Sequence, residues 1–188
     1  MSGTLLSRRH FLVGSGLAAA FAVSRFAHSA ELSEDGLHQQ PWFLESFLEL
    51  KEDLSAAQAN GRIFVVLWEL KGCPYCKLLH EENFANSTIA DYVKTNFDVL
   101  QLNLVGSRAV TDFDGKELPE KEMAVRYGLR GTPTLLFFAE NEDGAAIEVG
   151  RTEYLKPEKF YGMLRFVHEK GYDTMPFDSW LEANPASI

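Results

Sequence analysis

Cysteine is scarce: Cys73 and Cys76 are the only two in 188 residues, so any sulfur chemistry rests on that pair. Basic residues are outnumbered, with 18 Lys and Arg against 27 Asp and Glu. An acidic surface without basic clusters argues against nucleic acid and anionic membrane as partners. No apolar run reaches the length of a stable bilayer span. No internal repeat or low-complexity linker divides the chain, which points to one domain. Lys77 stands directly after the second cysteine where covalent haem attachment needs histidine, and haem is thereby excluded. What is present is ordinary, 46% hydrophobic and 24% charged residues, enough to bury a core.

The N-terminus is a different object from the rest. "SRRHFLVGSGLAAAFAVSRFAHSA" opens on Arg8 and Arg9, passes through a short Gly/Ala-rich apolar stretch and ends in small residues. That pattern reads as a signal peptide, and the "SRRHFL" core resembles the twin-arginine export signal. Residues 1–29 are expected to be removed, after Ser29 or, as the near alternative, after Ala30. The mature chain, 30–188, then carries 15 basic and 27 acidic residues, a formal net charge of −12. Its place is expected to be the periplasm.

Hydrophobic periodicity sketches the elements. "PWFLESFLELKEDLSAAQANG" is predicted helical from Pro41 to Gly61, with Phe43, Phe47, Leu50 and Leu54 on one apolar face. "RIFVVLWEL" reads as a strand buried on both faces of a parallel sheet. After the cysteines, "STIADYVKTNF" is a helix with Ser87 as its expected cap, and "FDVLQLNLV" a second central strand. "TDFDGKELPE" carries an Asp-Gly turn and predicts a small hairpin ending at Pro119. A short helix in "EKEMAVRYG", strands in "TPTLLFFAE" and "AAIEVGR", and a helix in "KPEKFYGMLRFVHEK" follow; the last aromatics predict an extra short helix. Such alternation implies a parallel core, an antiparallel edge and helices on both faces.

The cysteine pair lies in "WELKGCPYCKLLH", between a buried strand and a helix. A structural disulfide is a poor explanation, because bridging residues three apart constrains little of the unfolded chain. A redox couple fits better. The first cysteine would meet unpaired N–H groups and the helix dipole, which stabilise a thiolate. The second, one turn inside, is shielded and can attack a mixed disulfide to release a partner. Metal binding is the competitor: His80, four residues past Cys76, shares its helical face, with Glu81, Glu82 or a remote histidine as the fourth ligand. Against that, His80 reads as a surface or hydrogen-bonded helix histidine.

The sequence resembles the thioredoxin superfamily, and the likeness passes well beyond C-x-x-C. "YGLRGTPTLLFF" is similar to the stretch that carries the cis-proline in that family, which implies a cis bond at Thr132–Pro133 beside the cysteines. "EVGR", with Gly150 after its strand, resembles the third substrate-facing loop. "GLHQQPWFLESFLELKEDL", "VVLWELKGCPYC" and "NFDVLQLNLVGSRAVTDFDGKEL" resemble SoxW-type periplasmic thioredoxins of the sulfur-oxidation (Sox) system. There are departures. Pro74–Tyr75 replaces Gly-Pro, Gly72 replaces a tryptophan, Leu67 stands at the usual buried Asp and Gln101 at its lysine partner. Losing both charges together is sensible, since either alone would be costly to bury. The candidate proton acceptor for Cys76 is then Glu69, on the face of Leu67 by period-2 counting; the competing reading leaves it exposed at the strand end. Pro-Tyr also occurs in glutaredoxins, but the chain lacks their Gly-Gly-Asp type segment, which argues against glutathione.

The resemblance thus implies an α/β thioredoxin fold: a central mixed sheet with helices on both faces, an inserted hairpin at about 106–119 and a C-terminal extension at about 172–188. It implies a periplasmic thiol–disulfide oxidoreductase, monomeric and without cofactor or metal. Cys73 and Cys76 would reduce disulfides or persulfide-type adducts on a partner protein such as a Sox carrier. A membrane thiol transporter would feed electrons in, and Pro74, Tyr75, Gly131, Thr132, Pro133 and Gly150 would line the substrate groove. The rivals are a disulfide-forming oxidase and a metal- or sulfur-carrier protein using Cys73, Cys76 and His80. The inserted hairpin is expected to project near one edge of the fold.

Overall fold

The computed structural model describes residues 31–185, 187 and 188; the expected signal peptide lies outside them. Paired segments β1 (Glu31–Leu32) and β2 (His38–Gln39) precede α1 (Leu50–Ala59), β3 (Ile63–Glu69) and α2 (Pro74–Leu78). A π-helical turn, Leu79–Phe84, extends α2 and leads to α3 (Ser87–Asn96) and β4 (Phe97–Asn103). Next come β5 (Ala109–Thr111), β6 (Glu117–Pro119), α4 (Glu120–Arg126), β7 (Thr134–Glu140), β8 (Ala146–Thr152), α5 (Pro157–His168) and α6 (Phe177–Ala183).

The main sheet has the order β4-β3-β7-β8. Only β3 and β4 run parallel; β7 is antiparallel to both β3 and β8. This corrects the parallel core read from element alternation. It also places β4 at an edge, not at the centre. Its apolar content made β4 look central, and that content is explained by the cover its outer side receives from residues 38–44. There Leu44 N–H donates to the Val99 carbonyl at 2.8 Å, and the Gln101 side chain donates to the His38 carbonyl. A covered edge can afford the sequence of an interior strand.

Side-chain alternation in β3 feeds two cores. Val65 and Leu67 meet Ile89 of α3 and Phe160 and Val167 of α5. Phe64, Val66 and Trp68 meet Leu50 and Leu54 of α1 and Met123 of α4 on the other face. These assignments explain why the first helix is shorter than its pattern. Phe43 packs into the first core and Leu50 and Leu54 into the second, so the chain must pass around the β4 edge between them. Leu48 takes φ +65°, its N–H donating to Ser46 Oγ at 2.7 Å, and Phe47 is left 98% exposed. Helix α3 is capped by Asn86 instead of Ser87, its Oδ1 accepting from Thr88 and Ile89 N–H.

The β5–β6 hairpin forms as the Asp-Gly turn predicts, but it is packed, not projecting. Val110 is fully buried and Phe113 lies against Phe138 and Phe64, with ring centroids 4.8 and 6.5 Å away. Glu120 anchors its base, fully buried: Oε1 accepts from Asn103 N–H at 2.8 Å and Arg108 Nε at 3.1 Å, and Oε2 from Arg108 N–H at 3.2 Å. Gly106 admits that carboxylate, since a Cβ there would stand 1.9 Å from Oε2. The C-terminal segment docks through Trp180, whose ring meets Phe166 with centroids 5.6 Å apart.

Candidate active site

Strand β3 delivers the chain to a tight turn at Leu70–Gly72, where Gly72 takes φ +76°. Cys73 follows as the N-cap of α2, with Pro74 in the first helical turn, where its missing N–H costs nothing. Cys73 and Cys76 are joined as a disulfide, their Cα atoms 5.3 Å apart. Cys73 Sγ accepts from the Cys76 N–H at 3.0 Å, the donor that would also stabilise a Cys73 thiolate. Cys73 is 9% exposed and Cys76 1%, so the first cysteine is the more accessible of the two.

The Thr132–Pro133 bond is cis, and the Thr132 carbonyl oxygen lies 3.3 Å from Cys73 Sγ. Gly131, one residue earlier, is half-buried and its carbonyl accepts from Thr134 Oγ1. Pro74 and Tyr75 stand exposed on the other side of the sulfurs. The Tyr75 ring meets Tyr154 with centroids 5.6 Å apart. Tyr154 Oη donates to Glu82 Oε2 at 2.6 Å, and partial burial together with that bond pushes the phenol up to about 12. Asn83 ties the same loop down through the Leu155 carbonyl at 3.0 Å. A cleft lined by Leu129, Arg130, Arg151 and Glu153 reaches Thr134, the residue after the cis-proline.

Gly150 departs from its expected place. It lies within β8, paired with Phe137 beside a register shift, not in a loop after the strand. A Cβ there would be 3.0 Å from Val167 Cγ2, so its smallness serves the approach of β8 to α5. The loop residue that faces the cysteine helix is Tyr154. Tyr154 and Glu82 escaped the sequence reading because they are 72 residues apart and neither has a local signature.

Glu69 is fully buried at the end of β3, which removes the reading that leaves it exposed. Its Oε2 accepts from Gln101 Nε2 and from His80 Nε2, the latter at 3.2 Å. His80 is likewise buried, its Nδ1 3.0 Å from Gln40 Nε2, so it is a hydrogen-bonded interior histidine and not a surface one. Leu67, at the position where the resemblance puts an acid, is fully buried among the core side chains. Among the described residues no group of three or more His, Cys, Asp or Glu side chains is arranged to hold a metal ion. Lys77 pairs with Glu81 at 3.7 Å on the exposed side of the helix, where such a pair contributes little.

Three comparisons bear on this arrangement. The family described as thioredoxin-like domain matches residues 50–168. A thioredoxin from Thermus thermophilus is 29% identical with a TM-score of 0.52, covering 65% of this chain and 86% of that one. A thioredoxin-fold protein from Helicobacter pylori is 19% identical with a TM-score of 0.53, covering 66% and 84%, and bears on the fold alone. No curated protein matches the chain.

Proposed function

The chain belongs to the thioredoxin-like domain family, and on that premise we propose that it is an exported protein disulfide reductase. The observation that carries a thiol–disulfide oxidoreductase is the asymmetric sulfur pair: a reachable Cys73, a shielded Cys76, and the Thr132 carbonyl 3.3 Å from the outer sulfur. In the reduced protein the Cys73 thiolate attacks a disulfide on the partner. An extended partner segment lies along Thr132, whose backbone carbonyl faces the outer sulfur and can receive its N–H. Cys76 then loses its proton to Glu69 and attacks Cys73 Sγ, closing the intramolecular disulfide and releasing the partner thiol.

The direction, the compartment and the partner are proposed from the sequence resemblance. The twin-arginine-like leader supports the periplasm. The motifs shared with SoxW-type thioredoxins support a partner of the sulfur-oxidation system, carrying disulfides or persulfide-type adducts, and a membrane thiol transporter as electron donor. The strongly acidic mature chain suits a partner with a basic docking face.

The test is the equilibrium reduction potential of the Cys73/Cys76 couple, by thiol trapping across a dithiothreitol series. A value near about −270 mV supports a reductase, and one near about −120 mV makes the protein a disulfide-forming oxidase. If no two-electron couple titrates, thiol exchange is the wrong chemistry.

A further inference from the structure

Four side chains form a hydrogen-bonded row, buried Gln40, His80 and Glu69 with half-buried Gln101 at its end. The side chains of Glu69 and His80 have no solvent exposure. One carboxylate oxygen of Glu69, Oε2, is held twice; the other, Oε1, is buried without a partner among the described residues. A bare buried oxygen costs free energy, and a site that must receive a proton is a reason to keep one. His80 lies four residues past Cys76 on the continuing helix, about one turn on. Cys76 is 1% exposed, so its proton needs an internal acceptor.

Gln40 is the partner of the imidazole nitrogen that faces away from Glu69. With its amide donating to Nδ1, the ring carries its proton on Nε2, aimed at Glu69. An amide can also present its carbonyl to a protonated Nδ1, so the same partner serves the imidazolium. Among the described residues the other titratable ring against the pair is His38, with centroids 5.5 Å apart; Phe43 and Phe84 pack on the imidazole, and Arg108 donates to the Gln101 carbonyl and to Glu120. Gln40 lies outside the matched residues 50–168, on the segment that covers β4.

We infer that His80, held by Gln40, is the positioning residue for Glu69, so that the Cys76 proton is taken by a buried Glu69–His80 pair instead of a lone carboxylate. This rests on the thiol-exchange reading of the cysteines. In the resolving step the Cys76 proton moves to Glu69 Oε1 and the Cys76 sulfur attacks Cys73 Sγ. The Cys73–Cys76 bond forms as the bond from Cys73 to the partner sulfur breaks. Two electrons pass to the partner, which leaves as a thiolate and takes a proton from water. The pair returns its proton to Cys76 when the disulfide is next reduced.

The experiment uses the reduced mature chain and the aromatic disulfide dithiobis(nitrobenzoate) in stopped flow. The first thionitrobenzoate reports attack by Cys73, and the second reports release by Cys76. His80→Gln keeps a donor for Glu69 but cannot take up a proton. It is expected to slow the second release about tenfold at neutral pH and to displace its pH profile, with the first phase unchanged. Gln40→Leu is expected to displace the same profile in the same direction by less. Equal slowing of both phases, or an unchanged second-phase profile in either variant, overturns the inference. Gln40→Leu decides alone if His80→Gln does not fold. A parent that releases only one thionitrobenzoate instead sinks the thiol-exchange reading itself.

Discussion

Cys73 and Cys76 are chemically alike and are made different by eight percentage points of exposure and one hydrogen bond. The difference assigns the roles. Cys76→Ser should therefore attack normally and stall, accumulating a covalent complex on non-reducing gels, with turnover of a protein disulfide reduced about a hundredfold or more. Beside them Tyr154 offers a pH test with a definite sign. Its folded value is raised to about 12 from 10.0, so the folded state keeps the proton that the unfolded state loses first. The contribution of this group is fully present below pH 10 and is lost as pH rises through about 12. Tyr154→Phe should remove that part of the alkaline loss, read as a flatter dependence of the urea midpoint on pH over that window. The ring beside Tyr75 is kept, so disulfide reduction at neutral pH should stay within about twofold of the parent.

The inserted hairpin shows how an element reads differently in sequence and in space. Its Asp-Gly turn and flanking strands were legible because turn chemistry is local. Its destination was not, because Val110 and Phe113 contact residues on β3 and β7 far away in the chain. Val110→Ala should cost about 2 kcal/mol, measured by chemical denaturation, with little effect on the folded protein's reaction with dithiothreitol. Glu120→Ala, which strips the acceptor from the Asn103 and Arg108 donors, should cost about 2–3 kcal/mol by the same measurement. Deleting the hairpin should lose partner reduction and dithiothreitol reactivity together, as expected of a core element. Intact docking-free chemistry after deletion would contradict the packing. The same contrast holds for α1 and for Glu69. Apolar spacing extended the helix to Pro41, yet Phe43 and Leu50 serve different faces of the sheet. Period-2 counting put Glu69 on the face of Leu67, but Gln40 and His80 hold it from separate parts of the chain and leave no trace in spacing.

At the scale of the molecule, the fold is larger than its matched domain. Residues 38–48 lie before residue 50, where the match begins, yet they cover the outer side of β4 and supply Phe43 and Leu48 to opposite cores. They also bring Gln40 to the pair behind the cysteines. A chain begun at residue 50 would keep both cysteines, the cis-proline and all four strands of the main sheet. It would also bare a parallel edge strand whose Val99 carbonyl has lost its partner, beside the apolar surface that Phe43 left. Such an edge templates association with other chains. The truncated protein should therefore melt well below the parent and elute from a sizing column as higher-order species. If it stays monomeric with an unchanged melting temperature, the N-terminal segment is an ornament on a self-sufficient domain, and the hydrogen bonds it makes to β4 contribute little to holding the sheet.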